Sequence, residues 1–155
     1  MSKECIHIMV GVAGAGKSTV VEELGAKLVE AGNEVLIICP DDLREQFCNG
    51  DRSDQSKNGL VWKTAYAQVQ VAMEENQEII FDATMINPRK RKDLLKMALR
   101  NKYKVMGHVV RRDLDVIKEQ NKNRKWVVPE HIIENMFKSF VVPSSEEGFH
   151  GVVYH

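Results

Sequence analysis

Apolar residues fall along this chain in two kinds of pattern. Short continuous runs occur at Ile6-His7-Ile8-Met9-Val10, Val35-Leu36-Ile37-Ile38-Cys39, Glu78-Ile79-Ile80-Phe81-Asp82 and Lys104 through Val110. Runs of this kind are expected of strands buried on both faces of a parallel sheet. Between them the apolar residues recur at helical spacing. Val20, Val21, Leu24, Leu28 and Val29 predict a helix over 17–31, closed by Gly32-Asn33. A second stripe runs through Trp62, Ala65, Tyr66, Val69, Ala72 and Met73. A third helix opens at Asn87-Pro88, a favourable cap and first position. It carries Leu94, Leu95, Ala98 and Leu99 inward, with Arg89, Lys90, Arg91, Lys92, Lys96 and Arg100 expected outward. Further helices are expected from Leu114 to Lys122 and from Pro129 through Phe140, and Val152-Val153-Tyr154 predicts a short last strand. Strand and helix alternate. The pattern predicts an α/β fold: a parallel sheet of four to five strands, helices on both faces, right-handed crossovers.

At 155 residues the chain fits one domain over 1–155, with no linker, repeat or low-complexity stretch. Twenty-two basic and 22 acidic residues cancel, so no global field favours a polyanion. The local balance differs: 14 of the basic residues, against four acids, lie between Arg89 and Lys125. Such a run serves either polyanion binding or a solvated helix face. Cys5, Cys39 and Cys48 form no C-x-x-C pair and read as free thiols in a reducing compartment. No leader or membrane-length apolar run is visible, so a soluble, cytoplasmic protein is expected.

Gly11-Val12-Ala13-Gly14-Ala15-Gly16-Lys17-Ser18, followed by Thr19, matches the phosphate-binding loop pattern G-x-x-x-x-G-K-[ST]. Glycines there let the backbone bring its amides around a phosphate, and the helix behind adds its positive end. Lys17 is expected on the β- and γ-phosphates of ATP, and the Ser18 hydroxyl on Mg²⁺. The cofactor-binding set is therefore Gly11, Ala13, Gly14, Ala15, Gly16, Lys17, Ser18 and Thr19.

Two neighbouring apolar strands end in acid. Pro40-Asp41-Asp42-Leu43-Arg44 follows the second strand, and Asp82 ends the third. Ligands of open α/β sheets lie beyond the carboxyl ends of the strands, so both acids are expected at the phosphate cleft. A carboxylate there is placed to take a proton from an attacking hydroxyl, while Asp41 or Asp42 also suits the cap of a short helix over 42–47. If Asp41 caps, Arg44 lies one turn on and on the same side. Asp82 suits either the metal or the orientation of Arg44.

The polar stretch Asn49 to Gly59 reads as a surface loop, either mobile or in contact with substrate, and Pro143 to Gly148 as a polar turn. Trp62 and Tyr66 are expected in the core rather than under nucleobases. His108 is expected to be a satisfied strand residue, with no second His or Cys at ligand spacing to support a metal site. Asp113-Leu114-Asp115-Val116 has the look of an aspartate-phosphatase nucleophile motif, but too little chain follows to build that fold. Asn121-Lys122-Asn123-Arg124-Lys125, a basic loop between helices, is where a nucleotide kinase carries its lid, and Arg124 is the expected contributor to phosphate charge.

Taken together these residues resemble the phage type of polynucleotide 5′-hydroxyl kinase within the P-loop kinases. The likeness rests on Gly11 to Thr19, on Asp41-Asp42-Leu43-Arg44, and on Asp82-Ala83-Thr84 with Asn87-Pro88 and Arg91 behind. Asn121 to Arg124, Val128-Pro129 and Glu147-Gly148-Phe149 complete it. The resemblance implies a P-loop kinase fold with a helical lid at about 118–130 and no phosphatase domain. It implies ATP-dependent phosphorylation of nucleic acid 5′-hydroxyl ends, DNA or RNA, with Asp41 as general base. Lys17 and Arg124 would complete the catalytic set, Arg44 would bind the acceptor's phosphate, and Asp82 would share that side of the cleft. Met85-Ile86 departs from the Asn-Leu of many relatives, and the spacing from Arg124 to Pro129 differs slightly, which leaves Lys122 and Lys125 as alternatives to Arg124. The phage likeness suits a phage-encoded protein in a bacterial host. Two other functions fit the residues: a P-loop kinase acting on a small-molecule hydroxyl such as a nucleoside or sugar, and a nucleotide-binding switch that transfers nothing. If the basic run from Arg89 to Lys104 binds strands, affinity should fall steeply with salt.

Overall fold

The computed structural model describes residues 4–155. Five strands form one parallel sheet in the order β2-β3-β1-β4-β5. They are β1 (Cys5–Val10), β2 (Val35–Ile38), β3 (Glu78–Phe81), β4 (Lys104–Val109) and β5 (Gly151–Tyr154). The crossovers carry α1 (Lys17–Glu30), α2 (Pro40–Phe47), α3 (Asn58–Glu74), α4 (Pro88–Arg100), α5 (Leu114–Lys122) and α6 (Glu130–Lys138). The expected α/β architecture, with a parallel sheet of five strands and helices on both faces, is the one observed.

Alternation along β1 explains the two cores. Ile6, Ile8 and Val10 point to one face, where Val61, Ala65 and Val69 of α3 and Leu94 and Ala98 of α4 cover them. Met9 points to the other face, among Val20 and Val21 of α1, Ile117 of α5 and Ile133 of α6. Trp62 and Tyr66 are half-buried and pack on Phe81, with ring centroids 6.1 and 6.4 Å away, which is the core role expected of them.

Two expectations need correction. β2 is not buried on both faces: it is the sheet edge, and Ile37 is 49% exposed. Strand order is decided by where crossovers land, and a continuous apolar run does not report it. Arg91 does not face outward and Leu99 does not face inward. Arg91, Leu94, Leu95 and Ala98 form the buried phase of α4, whereas Leu99 is 82% exposed. Arg91 donates from Nε and Nη2 to the Glu147 carboxylate, at 2.9 and 2.8 Å, and from Nη1 to the carbonyls of Met85 (3.0 Å) and Val141 (2.8 Å). His108 is a satisfied strand residue, as expected. Its Nε2 meets His7 Nδ1 and its Nδ1 meets His155 Nε2, both at 2.9 Å, in a ladder across β1, β4 and the end of β5. Burial, then its two histidine neighbours, push His108 down to about 4, so the middle ring is neutral. Among the described residues no helix is long and apolar enough to cross a membrane.

Candidate active site

The site lies beyond the carboxyl ends of β1, β3 and β2, where a cavity of about 340 Å³ opens. After β1 the chain turns at Gly14 (φ 87°) and Gly16 (φ 97°), conformations that side chains with a Cβ rarely adopt. Gly14 also has no room for one: a Cβ there would sit 3.1 Å from the Ile117 carbonyl oxygen. Among the described residues the amides of Ala13, Gly14 and Gly16 make no hydrogen bond within the protein. They form part of the cavity wall together with Lys17 and Ser18. Gly11 and Ala15 do something else. Their amides are taken up by the Thr84 and Val12 carbonyls, at 3.0 and 3.1 Å, and both residues are buried. Thr19, in the first turn of α1, is exposed and outside the cavity lining.

Lys17 Nζ folds back onto the carbonyls of Gly11 (3.1 Å) and Val12 (3.2 Å). Burial pushes its ammonium down to about 8, against the attraction of Asp82. Burial likewise raises the Asp82 carboxyl above its ordinary range, with Lys17 opposing. The amide of Asp82 donates to the Ile38 carbonyl at 2.8 Å, which locks this acid to the end of β2.

Asp41 does not cap its helix: Cys39 does, with Pro40 in the first position and Asp41 in the first turn. The carboxylate is therefore free for other partners, and its side chain is 55% exposed at the cavity edge. Arg44 Nη1 pairs with Asp41 Oδ1, and Arg44 Nη2 donates to Asn58 Oδ1 at 2.6 Å. Arg44 is only 6% exposed and lies outside the cavity lining. Arg52 lines the cavity instead, within 3.7 Å of Asp41 and 3.1 Å of Asp42. Arg52 was not legible in the sequence: the loop 49–59 is expected to be mobile or to touch substrate, but no residue in it stands out as the contact. An arginine in a short polar loop just after two acids was the signal available.

The stretch expected to form a lid is anchored at its base. Asn121, 1% exposed, donates to the Val128 carbonyl at 2.7 Å and accepts from the Val128 amide at 2.9 Å, tying α5 to the approach of α6. Asn121 also packs against Gly14, so the base of this loop rests on the phosphate loop. Arg124 reaches the cavity, and its Nη1 is buried without a partner. Burial shifts its guanidinium downward, with Asp41 opposing. An orphaned guanidinium nitrogen costs free energy unless an acceptor meets it, so the position suits a bound anion. Lys122 lies 3.7 Å from Glu119, and Lys125 lies over the Trp126 ring at 5.2 Å; neither lines the cavity.

A P-loop wall, two strand-end acids and a lid arginine around one cavity define a P-loop protein of the kinase type. The AAA domain family (AAA_33), a P-loop kinase family, matches residues 6–143, and the chain belongs to it. An L-seryl-tRNA(Sec) kinase from Methanococcus maripaludis is 24% identical over 148 residues, covering 90% of this chain and 53% of that protein. The chain thus spans about half the length of that curated relative. Among solved structures, the fold is similar to a chain of the Pnkp1/Rnl/Hen1 RNA repair complex (TM-score 0.76, 17% identity, 90% of this chain and 44% of that one). It is also similar to Chaetomium thermophilum Kti12 in complex with ADP-AlF3 (TM-score 0.73, 16% identity, 97% and 88%).

Proposed function

We propose that this protein transfers the γ-phosphoryl group of ATP to the 5′-hydroxyl end of a nucleic acid. The observation that carries this is the placement of Asp41, exposed and outside its helix cap, across one cavity from Lys17 and Arg124. A nucleotide switch needs the phosphate loop but has no use for a carboxylate held by arginines at the acceptor edge. In the proposed reaction Asp41 accepts the proton of the attacking hydroxyl as the new P–O bond forms, and ADP leaves.

The free amides of Ala13, Gly14 and Gly16 would hold the β- and γ-phosphates, and Lys17 would swing from the loop carbonyls onto them. Arg124 would meet the charge on the transferred group with its unpartnered Nη1. Ser18, in the first turn of α1, is the residue that would ligate Mg²⁺, whose charge would offset that of the phosphates. Asp82 stays at the rear of the cavity beside Lys17. Residues 118–130 would act as the lid of a single kinase unit.

On the acceptor side Arg44 holds Asp41 in place through their ion pair. Arg52 is the cation placed to meet a phosphate next to the reacting end. Support for a nucleic acid acceptor comes from the joined D-D-x-R, D-x-T and N-P-x-x-R elements and from two similar proteins whose names carry RNA substrates or RNA repair. The test is γ-labelled ATP offered with 5′-hydroxyl oligonucleotides, nucleosides and sugars. Label on oligonucleotides supports the reading, and label on nucleosides or sugars alone overturns it.

A further inference from the structure

A second and larger hollow lies away from the cleft. It is a groove of about 810 Å³ between α4, the start of β4 and the segment Glu147–His150. Five cations surround it: Arg89, Lys92 and Lys96 from α4, and Lys102 and Lys104 from the turn into β4. All five are exposed, and among the described residues none of them forms an ion pair. The acid at the rim, Glu147, is already neutralised by Arg91. Leu95, Leu99, Tyr103 and Val105 supply an apolar floor.

This charge arrangement is unfavourable in the free protein. Lys92 and Lys96 are four apart on one helix face, a like-charge spacing that disfavours the helix. A polyanion relieves it. The apolar floor narrows the class further, because cations alone suit any polyanion, whereas apolar surface beside them suits the unpaired faces of bases. A duplex hides those faces. Pro88, at the head of the groove, follows the cleft residue Thr84 by four positions, so the two sites are at most about 14 Å apart by chain reach.

We infer that this groove binds the single-stranded body of the acceptor while its 5′ end lies in the cleft. Phosphates meet the rim of Arg89, Lys92, Lys96, Lys102 and Lys104, and bases lie on the exposed Leu99 and the apolar surface around it. The inference rests on the nucleic acid reading of the active site, and its test is separable from that reading.

The experiment measures binding of a fluorescent single strand on the order of ten nucleotides long. It uses fluorescence anisotropy, without ATP or Mg²⁺, over a range of salt. Wild-type protein is expected to prefer the single strand over its duplex. Lys92→Gln/Lys96→Gln should weaken binding roughly tenfold and flatten the slope of log Kd against log salt by about 1.4, two single-strand contacts at about 0.7 each. Lys90→Gln/Arg100→Gln removes the same charge from exposed positions of α4 outside the groove and should change affinity less than about twofold. Equal losses in the two variants would mean net charge rather than a groove, and overturn the inference. Equal affinity for duplex, or preference for a polyglutamate competitor over the strand, would overturn it too. Labelled phosphate appearing on oligonucleotides while Lys92→Gln/Lys96→Gln binds as wild type would remove the groove alone. Loss of transfer to every oligonucleotide with groove binding intact would remove the kinase reading alone.

Discussion

Replacing Arg91 by Met should cost the protein about 3–5 kcal/mol of stability, the range for breaking a buried ion pair from one side. The magnitude follows from what the guanidinium holds. Arg91 is wholly buried and makes two bonds to the Glu147 carboxylate and one each to the Met85 and Val141 carbonyls. Methionine fills much of the same volume, so packing loss is small; the cost comes from the charge left behind. Glu147, with its side chain 14% exposed, would retain only the Ser144 amide at 3.2 Å. Two carbonyls would also lose their donor. With an m-value near 2 kcal/mol/M, the urea midpoint should fall by roughly 1.5–2.5 M. The control is Arg91→Met/Glu147→Met. Removing the stranded carboxylate should recover a substantial part of the loss, as replacement of both partners by apolar residues does elsewhere. Met85, whose backbone is held at φ 42°, is in the loop that follows Asp82, so the single variant should also lose activity beyond its loss of folded fraction. A single variant within about 1 kcal/mol of wild type would refute this account of Arg91.

Other outcomes follow from the cleft. Asp41→Asn should abolish transfer to any acceptor while nucleotide affinity changes little; an unchanged kcat would place the base elsewhere. Arg52→Ala should raise the KM for oligonucleotide several-fold and leave the KM for ATP near wild type, and equal changes in both would remove Arg52 from the acceptor side. Lys17, held down to about 8 when no phosphate is bound, should take up a proton as ATP binds above that pH, visible by calorimetry in buffers of different ionisation enthalpy. The sign for stability is the reverse of the usual lysine case. Between about 8 and 10.5 the unfolded chain binds more protons at this group, so the free protein should gain stability from it as pH rises through that window. Lys17→Met should remove both effects.

What was legible in the sequence is what is local in it. The phosphate loop is contiguous, and its glycines, lysine and serine announce their backbone and charge by position. The strand-end acids were legible because each closes an apolar run, and strand ends converge in a parallel sheet. What stayed hidden depends on packing between distant segments. Arg91 looked like a surface cation by charge, although its phase with Leu94, Leu95 and Ala98 already placed it inward. Its partner Glu147 is 56 positions away. The surroundings of Arg44 and Arg52 were hidden for a similar reason: the fold of 49–59 over α2 brings Arg52 to the cavity and Asn58 onto Arg44. The His7–His108–His155 ladder joins three strands and has no signature along the chain.

In the proposed reaction a phosphoryl group moves from ATP to a 5′-hydroxyl, with Asp41 taking the proton. Incubating γ-labelled ATP with a 5′-hydroxyl oligonucleotide and digesting the product to mononucleotides locates the transferred group. All label is expected in the 5′-terminal nucleotide as a 5′-phosphate, and none with Asp41→Asn. Label released only as inorganic phosphate, or found only on a free nucleoside or sugar, would contradict it.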